Sequence, residues 1–308
     1  MTDQINGAGW SRFLVAGALC GVVMVAEAGI SRHDVPLSYH RDLAMQPQFQ
    51  AAGAVNFGGR GFGSGTLIAP GWVLTAAHGT RLTSGNQIRF TIDGQTYRGA
   101  QSYEHPLWMG TNRITEGYDV ALVRLEGIVE GVNAAEIYRG GSIVGSQAML
   151  VGAGLTGNGF TGQVPGTLGV LHAGLNTIDL TADQLAPFFP GIPMSANGLV
   201  IDFDIPFIET LNRTGSAVPL DQEFFPGQGD SGGAYWVEDT DGVWKVASIQ
   251  SWGTLNGVGE NFGQYGNMAI SAKLYEDLVL DWIDATVPSP GTLGVFLGCG
   301  LMAVRRRR

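Results

Sequence analysis

Three short stretches of this chain put reactive side chains among small and apolar neighbours. Ser231 sits in Gly227-Gln228-Gly229-Asp230-Ser231-Gly232-Gly233, and His78 ends Leu74-Thr75-Ala76-Ala77-His78. Asp119 lies near the start of Tyr118-Asp119-Val120-Ala121-Leu122-Val123-Arg124-Leu125. A serine hydroxyl is a poor nucleophile at neutral pH and needs a base within hydrogen-bond reach. Histidine suits that task, because its pKa near neutrality lets it take the proton and return it to a leaving group. A carboxylate on the other ring nitrogen would fix the tautomer and stabilise the imidazolium. Each residue also has a plainer reading alone: a satisfied core histidine, a strand-start aspartate, a solvated glycine turn. Together they describe a nucleophile, a base and an orienting acid for acyl transfer.

In this order (His, Asp, Ser) the three motifs resemble those of the trypsin/chymotrypsin family of serine proteases, over roughly residues 55–283. The resemblance implies an all-β fold of two six-stranded antiparallel barrels with a C-terminal helix. It assigns His78, Asp119 and Ser231 as catalytic residues, and the backbone N–H groups of Gly229 and Ser231 as the oxyanion hole. Ser251-Trp252-Gly253 resembles the cleft strand on which such enzymes pair an extended peptide. Phe225, six residues before the nucleophile, stands at the base of the implied specificity pocket, where trypsin-like members carry an aspartate. Glu223 is the nearby acid that would restore a preference for basic side chains. His105-Pro106 and Trp282-Ile283 match family positions that are structural.

The chain also departs from the family. Gly79 stands where disulfide-bearing members have cysteine. The usual Ile-Val-Gly-Gly start is absent, which leaves Gly29 or Ile30 to supply the amine that many members bury against the aspartate before the serine, here Asp230. The implied activity is endopeptidase action on proteins or peptides through an acyl-enzyme, with no cofactor and no metal. Two other readings use the same residues: a non-catalytic binding or adhesion module on a protease-like barrel, and an esterase. Turnover of a peptide or ester substrate separates enzyme from module.

Composition agrees with a turn-rich β protein: 48 glycines, 44% apolar residues and only 14% charged ones. Short β-like runs lie at 65–69, 72–77, 88–92, 120–125, 149–151, 199–203, 233–237 and 243–250. Asp93-Gly94 and Asp241-Gly242 read as hairpin turns between such runs. A helix is expected over 272–283, with Leu274, Leu278, Trp282 and Tyr275 on one face. Residues 152–219 read as surface loops or an insertion, and Asp202 and Asp204 as a solvated strand face.

Both ends read as addresses. Arg12, an apolar run over 13–25 and Ala26-Glu27-Ala28 make a signal peptide spanning residues 1–28. The protease-like body then spans 29–286. The tail over 287–308 has Pro288-Ser289-Pro290, a short apolar stretch and Arg305 to Arg308. It resembles the PEP-CTERM class of bacterial envelope-sorting tails, in a variant form without the glutamate. That implies a secreted or envelope-associated bacterial protein, with sorting machinery as a partner. Cys20 and Cys299 both fall in these ends, so the body carries no disulfide. A net charge of −10 offers no electrostatic footprint for nucleic acid.

Overall fold

The computed structural model describes residues 29–253 and 261–288. The signal-peptide expectation, and all but the first two residues of the tail, lie outside them. The first half is a closed six-stranded barrel. Its strands Ala52–Phe57, Phe62–Ala69, Trp72–Thr75, Ala121–Leu125, Gln95–Glu104 and Ile88–Ile92 are hydrogen-bonded in that order. Alternation drives the closure. Ile88, Phe90 and Ile92 point inward and are buried, while Thr91 faces water. Asp93 and Gly94 both adopt positive φ (47° and 70°) between paired strands, the primed hairpin turn expected of Asp-Gly.

The second half is a seven-stranded antiparallel sheet. Its order is His172–Thr177, Gln147–Gly152, Ala234–Glu238, Trp244–Gly253, Met268–Lys273, Gly198–Asp202 and Leu180–Thr181. A side chain links its first strand to its sixth and to the small sheet beside it. The buried Asn176 amide, on the first strand, donates to Asp202 O (2.8 Å) and Phe224 O (3.1 Å). Beside it lies a small sheet in which Gly29–Ser31 runs between Thr156–Asn158 and Phe224–Phe225. The stretch read as loops over 152–219 therefore contains several ordered strands. Their polar and glycine-rich sequences hid them, because the partners that complete them are remote in the chain.

The helix is Asp277–Thr286, later than expected, because residues 272 and 273 complete the strand Met268–Lys273. Its buried face is Val279 and Ile283, whereas Leu278 is exposed. His105 is structural, as expected. It is buried, stacks on Tyr118 at 5.3 Å and meets Trp282 edge-on at 5.0 Å, which ties the segment before Asp119 to the helix. An early helix, Leu37–Ala44, went unread in the sequence, since it covers only two turns and buries His40 as well as Leu43 and Ala44.

One hydrophobic cluster runs through both halves. Phe49 is fully buried and meets Trp236 (5.6 Å) and Trp244 (5.3 Å) edge-on, so it wedges barrel against sheet. Truncating it would leave a void at that junction. Phe49→Ala is expected to cost about 3–5 kcal/mol of stability, read as a lowered denaturation midpoint in urea.

Candidate active site

The strand Trp72–Thr75 ends in a short helical turn, Ala77–Thr80, that carries His78 at the junction of the two halves. Asp119 lies just before the strand Ala121–Leu125, which pairs with Trp72–Thr75. The pairing brings the two residues together. Asp119 is fully buried, and its Oδ1 accepts the His78 backbone N–H (2.7 Å) while Oδ2 meets His78 Nδ1 at 2.6 Å. The Ser251 hydroxyl donates to the same Oδ2 at 2.5 Å.

A carboxylate can only accept, so this network puts the ring proton on Nδ1 and leaves Nε2 as a base. Burial of the imidazole works to lower its pKa, but the Asp119 charge and hydrogen bond outweigh it and hold the value above the ordinary 6.5. His40 and His105 instead bond backbone carbonyls, those of Ala173 and Leu278. Burial pushes His40 down to about 4.

The loop carrying Ser231 is pinned from several sides. Asp230 is buried, and its two carboxylate oxygens accept the N–H groups of Gly154 (2.8 Å) and Gly227 (2.7 Å). Burial, opposed by those two bonds, pushes its pKa up to about 7. Gln228 O accepts from Leu155 N (2.7 Å), and Asp230 O from Gly233 N (2.7 Å). In a trans peptide the N–H points opposite to the carbonyl. The N–H groups of Gly229 and Ser231 therefore point away from these anchors, and among the described residues they donate to no protein acceptor. Gly229 needs to be glycine: its φ is +96°, and a Cβ there would lie 2.6 Å from Leu168.

Ser231 O accepts from Ser64 N (2.8 Å), which fixes Ser231 against the first barrel. Its hydroxyl makes no hydrogen bond to a described residue; such bonds often tighten only once substrate is bound. Ser64 escaped the sequence reading. Its hydroxyl donates to Gly229 O (3.0 Å) and accepts from Ala153 N (2.8 Å), bracing the loop across the interface. Nothing in Gly63-Ser64-Gly65 signals that role, because both partners are distant in sequence.

Beside Ser231 opens a cavity of about 320 Å³, lined by Gly227, Gln228, Gln250, Ser251, Trp252, Gly253 and Phe262 as well as Ser231. Phe225 is not in its wall. The ring is fully buried one layer behind, stacked on Phe203 (5.5 Å) and tilted against Phe262 (5.8 Å), because Phe225 pairs with Ile30 in the small sheet. Phe262 is the aromatic wall that sequence missed. Ser251 plays a second part: its backbone belongs to the cleft strand, but its hydroxyl serves Asp119. At Gln250 the strand Trp244–Gly253 still bonds Gly232 and Gly233, and its ladder to the strand Ala234–Glu238 ends before Ser251, so 251–253 present an edge beside Ser231.

Glu223 is buried away from the cavity and accepts from Leu220 N (2.7 Å) and Asp204 N (3.5 Å). Asp202 and Asp204, expected on a solvated face, are likewise buried. Asp202 accepts from the N–H groups of Arg213 and Thr214, and Asp179 from the Thr214 hydroxyl and Ser216 N, so these acids tie down the loop after residue 204. In the uncut chain Asp230 is met by the Gly154 and Gly227 amides. Ile30 is buried in its strand, and Gly29 N donates to Leu155 O (2.9 Å).

Comparison with known proteins agrees with this architecture. The family model described as Trypsin matches residues 41–175, which include His78 and Asp119 and stop before Ser231. No curated protein matches the chain in sequence. Among solved structures, 1122 chains match. One is neuropsin, a serine protease expressed in the limbic system of mouse brain. It is 21% identical, with 78% of this chain and 96% of that chain covered, at a TM-score of 0.55. The chain has the trypsin-like serine-protease fold.

The buried acids make stability depend on pH. Burial lifts Asp179 and Asp204 to about 8, reinforced for both by the Asp202 charge. Between pH 8.5 and 6.5 the folded chain takes up protons that the unfolded chain, with ordinary carboxylates, does not bind, so stability rises as pH falls. Buried histidines such as His40, held near 4, oppose this only below about pH 6.5. The thermal midpoint is therefore expected to be higher at pH 6.5 than at pH 8.5, with a smaller difference in Asp179→Asn and Asp204→Asn.

Proposed function

We propose that this protein is an exported serine endopeptidase that cleaves peptide bonds through an acyl-enzyme. One observation carries the reading: the buried Asp119 carboxylate holds His78 by ring and backbone, with Nε2 left as the base. In this reading Ser231 Oγ attacks the scissile carbonyl as His78 takes its proton. The N–H groups of Gly229 and Ser231 receive the oxyanion, a contribution worth about 3–4 kcal/mol per donor in such sites. His78 then returns the proton to the departing amine, and water repeats the sequence on the acyl-enzyme. The edge at 251–253 supports an extended peptide as substrate, added as a further strand, in preference to a small ester.

Among the described residues, no charged side chain lines the cavity beside Ser231. A buried Arg or Lys there would lack a partner, so small or apolar residues are the favoured cleavage-side occupants. Discrimination among them is modest, since one methylene is worth about 1–3 kcal/mol. Export and envelope attachment belong to the same proposal and rest on residues 1–28 and 287–308 of the sequence. Mass spectrometry of the protein from its native host is expected to find both segments removed, or the tail holding it at the envelope. Intact Arg305 to Arg308 on a freely soluble extracellular protein would contradict the sorting role.

Ser231→Ala and His78→Ala should each lower kcat by about 10⁴–10⁶. Asp119→Asn should cost about 10⁴ by favouring the wrong tautomer. Unchanged peptide turnover in Ser231→Ala would return the chain to the binding-module reading. Because His78 acts unprotonated and its pKa is raised, kcat/KM on a peptide should climb with pH through a midpoint above 6.5.

A further inference from the structure

A second cavity, of about 460 Å³, opens against His78, and its lining shares no residue with the cavity beside Ser231. Phe57, Phe62 and Leu82 give it an apolar wall, and Arg60 is its one permanent cation. On the protease reading, which this inference rests on, the departing amine takes its proton from His78. The chain leaving the site therefore runs past the His78 ring, and the cavity walled by that ring is on the leaving-group side.

The turn that carries Arg60 is ordered by its own bonds. Phe57 N donates to Gly61 O (3.0 Å), Arg60 N to Phe57 O (3.2 Å) and Gly59 N to Asn56 Oδ1 (3.1 Å). Gly58 and Gly59 supply the positive φ, and Thr83 Oγ1 holds Phe57 O from below (3.2 Å). Phe57 also packs tightly on Gly79 and Gly63, where a Cβ would fall 2.4 Å and 2.7 Å from its ring. That packing secures the corner that a disulfide secures in cysteine-bearing relatives.

Arg32, Arg98, Arg113 and Arg139 are neutralised by Asp34, Glu126, Glu116 and Asp284. Arg41, Arg81, Arg89 and Arg124 have no ion pair among the described residues, but none of them lines this cavity. Arg60 has no acidic partner among the described residues, although the chain holds 27 acidic residues against 17 basic ones. An unpaired guanidinium fork over an apolar wall matches a carboxylate on an aliphatic stem. We infer that Arg60 receives a substrate carboxylate one or two residues beyond the scissile bond, making acidic leaving-side sequences the preferred ones. The carboxylate is a Glu or Asp side chain, or the α-carboxylate of a chain that ends there.

Quenched fluorescent peptides test this, with one fixed sequence before the scissile bond. One set is C-terminally amidated and carries Glu, Ala or Lys at the first or second leaving-side position. A second set carries Ala there and ends two residues later in a free carboxylate. The readout is the kcat/KM ratio between peptides, for the wild-type chain, Arg60→Ala and Arg60→Glu. Wild type is expected to favour Glu over Ala by about fivefold, the scale of a solvent-exposed ion pair, and less at high salt. Arg60→Ala should level the ratio, and Arg60→Glu should turn it toward Lys. A preference seen only in the free-acid set supports Arg60 as the receptor and assigns the chain end as its ligand. Equal ratios in wild type, or a Glu preference that survives in Arg60→Ala, overturn the inference and leave the protease reading standing. No Ser231-dependent cleavage of any peptide would refute the protease reading and this inference with it.

Discussion

The buried Asp119 carboxylate is the interaction on which the rest of the site depends. An ionised group removed from water is costly unless donors replace its hydration. Here the donors come from two directions: the His78 backbone and ring from the first barrel, and the Ser251 hydroxyl from the sheet of the second half. The charge is satisfied only when the halves are docked, so the same contact that orients the base also reports that the cleft has been assembled. Ser64 repeats the logic in the opposite sense. It reaches from the barrel to Gly229 and Ala153 in the second half.

The loop carrying Ser231 shows how a glycine-rich turn is held without covalent help. Gly229 and Gly232 both take positive φ, which leaves the loop little intrinsic preference for its shape. Asp230 compensates from inside, with its two carboxylate oxygens taken by the N–H groups of Gly154 and Gly227. The strand Gly29–Ser31 is engaged in a sheet with Phe224–Phe225, so its contribution is packing.

Charge is distributed to match. Among the described residues, the cavity beside Ser231 has aromatic but no charged walls, and the one against His78 has a cation over an apolar wall. Four acids lie together in the second half, where they anchor a loop and hold their protons more tightly than exposed carboxylates do. Glu223 belongs to that group, which is why an acid so close to Ser231 in sequence does not reach the cleft.

Local chemistry was legible in the chain before any coordinates. The three motifs around His78, Asp119 and Ser231, the Asp-Gly hairpin at 93–94 and the alternating strand 88–92 each need only neighbouring residues to be recognised. Periodicity and turn chemistry are properties of a few consecutive side chains, so they survive in one dimension. What depended on remote partners was not legible. The place of Phe225 behind Phe262, the burial of Asp202 and Asp204, the service of Ser251 to Asp119 and the brace from Ser64 are set by strand register between segments far apart in the chain. The helix beginning at 277, not 272, has the same origin: strand pairing to Gly198–Asp202 claimed its first residues. Sequence supplied the reactive groups and their local frames, and tertiary packing decided which of them meet, because burial and hydrogen-bond satisfaction are decided only when distant elements close on one another.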